Sequence, residues 1–321
     1  ENAGAIDEFY SQSSFLTFAS TFGGSDMMAR STVLRPWIGS DIIRGLQAKL
    51  VFTYKTFEPA GPDYHFAWYA GPSGTEMKES FKTNELGLIL HYQPKAVYVL
   101  DGNRRFSVNF NQYPVFGFEY FKGFSNPGNG DFNYDRIIAG IQQKFNPGGF
   151  GSVVYNIRFS RIFGSLPYPM LTTLAGNQSL FRTDRTYNLM NLGEFVADES
   201  LELFLSYHMN GLLLGKLPLI KKLEWRTVLS GRIAYGSFND KSNGFYDPVT
   251  NPGGILPKTD PAGFPLTEFN TLTWGKPYAE IPYGIENIFR FFRVDLVQRL
   301  TYLDNPDSRR FAVMISGVFR F

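Results

Sequence analysis

Ser200-Leu201-Glu202-Leu203-Phe204-Leu205-Ser206-Tyr207-His208-Met209-Asn210 alternates apolar and polar side chains along its whole length. Leu201, Leu203, Leu205, Tyr207 and Met209 share one face of an extended chain. Ser200, Glu202, Ser206, His208 and Asn210 share the other, and Phe204 is the one misfit. A period of two is the signature of a half-exposed β-strand, not of a helix. A strand of this kind needs only ~9–11 residues to cross a bilayer, and it needs to be apolar on one face only.

The same pattern recurs on both sides of this stretch. Leu46, Ala48, Leu50, Phe52 and Tyr54 oppose Gln47, Lys49, Val51 and Thr53; Leu86, Leu88, Leu90 and Tyr92 oppose Glu85, Gly87, Ile89 and His91. Val153, Tyr155, Ile157 and Phe159 oppose Val154, Asn156, Arg158 and Ser160. Alternation, turn residues and aromatic spacing predict strands over 14–23, 28–37, 43–57, 83–95, 104–118, 133–145, 150–164, 199–210, 225–238, 277–286, 293–304 and 309–321. The first two are the weakest, and 28–37 carries Arg35-Pro36.

Connection length separates a soluble sandwich from a membrane barrel. Long connections (119–132, 165–198, 239–276) tend to alternate with shorter ones (146–149, 211–224, 287–292), with 305–308 the exception. A barrel has short turns at one mouth and long loops at the other. Tyr54, Tyr92, Tyr207, Tyr235, Tyr302 and Phe321 sit near strand ends on apolar faces, as aromatic girdles at bilayer interfaces do. The expected fold is therefore all-β: one transmembrane antiparallel barrel of the outer-membrane type spanning 1–321, with about twelve strands in this chain. A large soluble β-protein is the competing reading, and it predicts solubility without detergent.

Composition agrees. The chain of 321 residues is 43% hydrophobic and 17% aromatic, with 32 glycines and 19 prolines, a mixture that favours strands and turns over helices. The formal charge of +2 leaves no basic footprint for nucleic acid. Without cysteine there is no disulfide, thiolate nucleophile or Cys-based zinc site. Glu1 opens no signal peptide, so the chain reads as a mature or truncated product.

No catalytic constellation stands out. His65, His91 and His208 are far apart and at no metal-ligand spacing, and Glu199 with Glu202 are ordinary members of a charged wall. Gly211-Leu212-Leu213-Leu214-Gly215-Lys216 has one residue too few for a phosphate loop, and Leu217 stands where a hydroxyl is required. We expect no enzyme activity, no cofactor, no metal and no small-molecule substrate.

From about Phe150 onward the chain resembles the C-terminal barrel of Bacteroidota outer-membrane proteins that carry an N-terminal carboxypeptidase-regulatory-like domain, a family similar to BamA-type insertases and surface antigens. The resemblance rests on several ordered blocks. They are Gly164-Ser165-Leu166-Pro167-Tyr168-Pro169, Tyr187-Asn188-Leu189-Met190-Asn191, Leu214-Gly215-Lys216-Leu217-Pro218-Leu219-Ile220-Lys221-Lys222-Leu223, Pro277-Tyr278-Ala279-Glu280, and Phe292-Arg293-Val294-Asp295 with Arg299-Leu300-Thr301-Tyr302. It implies a Gram-negative outer membrane as the location, bilayer lipid and outer-membrane or periplasmic proteins as partners, and a part in outer-membrane protein assembly or translocation. It also implies a barrel of sixteen strands, of which this chain would supply part, and an N-terminal domain that is absent here. A passive channel or a structural accessory of a larger complex is the alternative. The family's Arg-Gly-aromatic motif on the long lumen loop has no counterpart in 165–198, where Tyr187 to Glu194 stand instead.

Two candidate sites follow. The segment 165–198 is too apolar for a free loop, and folding into the lumen would bury it. Its candidate residues are Arg185, Tyr187, Asn188, Met190, Asn191, Glu194 and Phe195, with Arg158, Glu202 and Arg232 as wall partners for its charges; a lid standing above the membrane is the other reading. The second site is the terminal strand, where Phe311, Val313, Ile315, Phe319 and Phe321 share one face. It resembles the assembly signal of bacterial outer-membrane barrels.

Overall fold

A computed structural model describes residues 29–60, 65–70, 76–101, 104–107, 113–125 and 129–317. One antiparallel sheet of 12 strands dominates it. The strands are β1 (Ala29–Leu34), β2 (Trp37–Ile43), β3 (Leu46–Pro59), β4 (Phe81–Tyr92), β5 (Val115–Gly123) and β6 (Tyr134–Phe145). They continue as β7 (Ser152–Phe163), β8 (Glu199–His208), β9 (Arg226–Ser237), β10 (Tyr278–Ile288), β11 (Phe292–Arg299) and β12 (Phe311–Gly317). From β3 to β12 each strand pairs with the next in sequence. β1 and β2 lie end to end on the same edge of β3, against Tyr54–Pro59 and Leu46–Val51. The break between them is Arg35-Pro36. Proline has no N–H for the ladder, but the Pro36 carbonyl still accepts the Phe52 N–H at 3.0 Å, so the edge bends without coming apart.

The wall is apolar outside and charged inside. In β8, Leu205 is exposed while Glu202 and Ser200 are buried; in β3, Leu50 and Phe52 are exposed while Thr53 and Lys55 are buried. Buried Glu85, Arg136, Arg232, Glu280 and Arg299 extend the polar lining across the sheet. A soluble sandwich buries its apolar face. The reverse arrangement is that of a membrane barrel. No helix among the described residues is long and apolar enough to cross a membrane; the sheet is the spanning element.

The connections divide as expected only in part, with two corrections. Connections 44–45, 146–151 and 289–291 are short and share one mouth with the longer 93–114 and 209–225. The connections 60–80, 124–133, 164–198, 238–277 and 300–310 form the other mouth. The strand expected to run to residue 304 ends at Arg299, because the chain curls round that guanidinium: Arg299 donates to the carbonyls of Thr301 and Tyr302, at 3.0 and 2.8 Å. Connection 300–310 is therefore longer than expected, but 93–114 and 209–225 at the opposite mouth are longer still, so length separates the two mouths only in part. The strand expected over 104–118 is two elements. Arg104–Ser107 pairs with Tyr98–Asp101 in a small separate hairpin, and the wall strand β5 begins only after Pro114. The expected strand 14–23 lies outside the described residues.

At the short mouth Gly45 has a φ of +87°, and a Cβ there would lie 2.2 Å from the Gln93 carbonyl, so only glycine makes the β2–β3 turn. At the opposite mouth Gly164, with a φ of +122°, redirects the chain out of β7 and over the lumen.

Candidate functional site: the lumen loop

The loop that follows Gly164 folds back on itself before it docks. Thr172-Thr173 pairs antiparallel with Val196-Ala197, and Phe195-Val196 pairs in parallel with Asn270-Thr271 of the next long loop. Between them the Tyr187 N–H donates to Ala175 O at 2.8 Å, and the Asn177 N–H to Met190 O at 3.0 Å. The loop thus satisfies much of its own backbone and carries Tyr187, Asn188, Leu189 and Met190 into complete burial.

Four wall strands hold it. Glu280 of β10 accepts the successive N–H groups of Asn188 and Leu189 at 2.8 and 3.0 Å and the Tyr278 hydroxyl at 3.0 Å. Arg299 of β11 grips Glu194 with both terminal nitrogens, at 2.6 and 3.1 Å, and donates to Leu189 O at 3.3 Å. Glu194 also receives the Asn191 N–H at 2.9 Å and the Asn305 amide at 3.0 Å. Arg232 of β9 donates to the carbonyls of Thr183 and Thr186 and stands 3.5 Å from Glu280. On β6, Gln142 takes the Arg185 guanidinium at 2.8 Å. Buried Glu280, Glu194, Arg299 and Arg232 are each compensated several times over, as burial of a charge requires.

Aromatic packing completes the dock. Tyr187 lies against Phe204 of β8 and Tyr278 of β10, with centroids 5.0 and 5.3 Å apart, and Phe195 packs against Tyr278 at 5.7 Å. Phe204, the misfit in the alternation of 200–210, is an inward-facing aromatic because it packs on the loop. Burial, and then the charges of Glu202 and Glu280, push the Tyr187 hydroxyl well above its ordinary pKa; it stays neutral and donates to Ile233 O at 3.2 Å.

All seven candidates of the loop therefore come together on the inward face of the wall, but their partners are only in part those expected. Arg158 and Glu202 pair with each other across β7 and β8 at 2.7 Å, Glu202 also reaches the Tyr187 hydroxyl, and Arg232 holds the loop through the Thr183 and Thr186 carbonyls. Glu280, Arg299 and Arg309, which donates to Asn177 O, had no role assigned from sequence. Glu280 and Arg299 lie in blocks that carry the family resemblance, and that was their only signal. In the Glu194–Arg299 pair the loop supplies the carboxylate and the wall the guanidinium.

One segment of the loop leaves the lumen lining and reaches the end of the sheet. The Arg182 N–H donates to Ile315 O at 3.0 Å, and the Ile315 N–H donates to Leu180 O at 3.1 Å. Phe181 thereby forms a parallel bridge with β12 on the edge facing away from β11. The Arg182 side chain stands beside Asp295 at 3.5 Å, and Asp295 is held by Arg293. On β12 itself Phe311, Val313 and Ile315 are exposed on the outward face, with Met314 buried behind them; Phe319 and Phe321 lie outside the described residues.

An inside-out antiparallel wall with a docked lumen loop defines the class: an outer-membrane-type β-barrel fold. The chain belongs to the family of unknown function DUF5686, whose C-terminal domain matches residues 70–241. Among solved structures it is similar to BamA from Haemophilus ducreyi lacking POTRA domains 1–3, at a TM-score of 0.51 and 9% identity, over 90% of this chain and 55% of that one. The likeness is one of fold, and the chain spans about half the length of that relative. None of the curated proteins matches the chain.

Proposed function

We propose that this protein resides in the outer membrane and acts, like BamA-type barrels, in assembly or translocation of outer-membrane proteins. It would work without a chemical step, by opening its wall beside the last strand. The observation that carries this reading is the pairing of Leu180–Arg182 with the edge of β12 to which no other described strand pairs, by a loop anchored to β9, β10 and β11. In hydrocarbon a bare strand edge is expensive, and a segment whose backbone bonds to Ile315 lowers that cost there until an incoming strand takes its place. Plug and edge then form one coupled unit.

A cysteine pair at Phe181 and Ile315, in a chain with no cysteine of its own, tests it. Oxidised, the pair should lock the segment on β12 and deplete other barrel proteins from the outer membrane, and reduction should restore them. A locked protein that supports normal assembly would remove the reading. The accessory-subunit alternative is favoured by exposed Phe245, Val249 and Phe264 at the long-loop mouth, which offer an apolar surface to a partner. On that reading the locked protein remains fully active, and substitutions at those three residues are what disrupt function.

A further inference from the structure

The connection 209–225 at the short-turn mouth has no role in the plug or in the β12 edge, yet its composition is distinctive. Leu213, Leu217 and Leu223 are all about half exposed, and Lys216, Lys221 and Lys222 are exposed between them, against a single acidic residue, Glu224. The segment is built and not loose. A short 3-10 turn (Leu214–Lys216) leads into a helical turn (Pro218–Lys221). The N–H groups of Gly215 and Lys221 donate to Gly211 O and Leu217 O at 3.0 and 2.8 Å. Its base is closed by the Met209 N–H on Thr227 O at 2.9 Å, and Asn287 of the neighbouring hairpin donates to Glu224 O at 2.9 Å.

The hairpins on either side repeat the theme. At the β6–β7 turn, exposed Phe145 and Phe150 flank the connection next to Lys144, and at the β10–β11 turn Arg290 stands between exposed Phe289 and Phe291. A protein-binding patch occupies one sector of a surface. Exposed apolar side chains on three successive hairpins of one mouth, with exposed cations among them on two, mark a plane, and they continue the lipid-facing wall of Leu205 and Leu229. Apolar side chains with lysines among them suit the interface of a bilayer whose headgroups are negative.

We propose that residues 211–224 form a foot that lies in the interface of the leaflet at the short-turn mouth and binds anionic phospholipid there. The leucines enter the acyl boundary, and Lys216, Lys221 and Lys222 gather phosphate headgroups. The inference rests on the reading of the wall as bilayer-spanning.

The test uses the full-length protein in vesicles of mixed phosphatidylcholine and phosphatidylglycerol, with a fluorophore on a single cysteine at Leu217 and a second preparation labelled at Leu205. In one vesicle set only phosphatidylglycerol is brominated; in the other, only phosphatidylcholine. At Leu217 the brominated phosphatidylglycerol should quench at least about threefold more, and the preference should vanish in K216Q/K221Q/K222Q, whose apolar face is intact. Equal quenching by the two lipids in the parent background overturns the proposal. So does a fluorophore at Leu217 that neither lipid reaches while Leu205 is quenched, which would mean that the foot faces water or a protein partner. Absence of quenching at Leu205 as well would instead overturn the bilayer-spanning reading itself.

Discussion

The two longest loops, 164–198 and 238–277, leave the same mouth and touch each other, yet they are held by opposite means. The first is fixed by the wall: buried carboxylates and guanidiniums on β9, β10 and β11 reach its backbone and Glu194. The turns of the second are fixed by their own side chains. Asp247 accepts the N–H groups of Val249 and Thr250 at 2.9 and 2.7 Å, Asn251 donates to the carbonyls of Asp240 and Phe245, and Asp260 accepts the Phe264 N–H at 2.8 Å. Beyond that tip it is tied to its neighbours: Ile255 O accepts the Tyr69 N–H, Asp260 meets His65 at 2.9 Å, and the Asn270 N–H donates to Glu194 O of the first loop. The first loop can therefore move only if the wall charges let go. Local opening of the 247–251 turn of the second disturbs little beyond it.

The largest effect that separates the two is expected at Glu280. Glu280→Ala leaves two buried N–H groups, the Tyr278 hydroxyl and Arg232 without their acceptor, and removal of one partner of a buried ionic network typically costs about 3–5 kcal/mol. Urea unfolding from lipid vesicles, followed by heat-modifiable gel mobility, measures it. If the loss is no larger than that of an exposed substitution in 238–277, the wall is not what holds the plug.

Thiol labelling sharpens the same contrast. Single cysteines at Tyr187 and Met190 should react with a bulky reagent more than about a hundredfold slower than a cysteine at Val249, because exposure of the first two requires subglobal opening. Rapid labelling at both plug sites would favour a lid standing above the membrane. A smaller effect is expected for Arg299→Lys. Lysine keeps the charge but cannot reproduce the two-pronged grip on Glu194 together with the bonds to Leu189, Thr301 and Tyr302. A loss of about 1.5–2.5 kcal/mol in the same unfolding experiment is expected, from charge-assisted bonds only partly replaced. A neutral outcome would mean that charge alone suffices there.

The contrast also explains what the sequence made legible. Wall strands were readable because lipid outside and polar lining inside impose strict alternation; Leu203 and Glu202 are distinguishable by position alone. Strand ends were less so, and β11 and β5 were misplaced because Arg299 bends the chain and Pro114 delays a strand whose aromatics begin earlier. The apolar content of 165–198 marked a buried loop, while Phe204 stood out only as a misfit in the alternation, its packing on the loop visible in the structure alone. The clamp was not legible. Glu280 is 92 residues from Asn188, and Arg299 is 105 from Glu194, and alternation turns these charges inward without saying which loop atom each meets.

The smallest effect concerns Asp247. Its carboxylate is exposed, and hydrogen bonds from the Thr250 and then the Val249 backbone hold its pKa below the usual carboxylate value. A depressed folded pKa means that the contribution is complete above the unfolded value and is lost only as pH falls through the folded one. The turn at 247–251 should therefore keep its order from neutral pH down to about pH 4 and loosen only below it. Nicking of the turn by an acid-active protease, with Asp247→Ala as the reference at each pH, reads this directly. The parent should be cut more slowly than the variant above that range, and the two rates should converge as pH falls. Global unfolding should barely change in either protein, because this turn opens without the wall. A parallel drop in global stability for Asp247→Ala would show that the two loops are one cooperative unit, and that the self-held loop is also part of the plug.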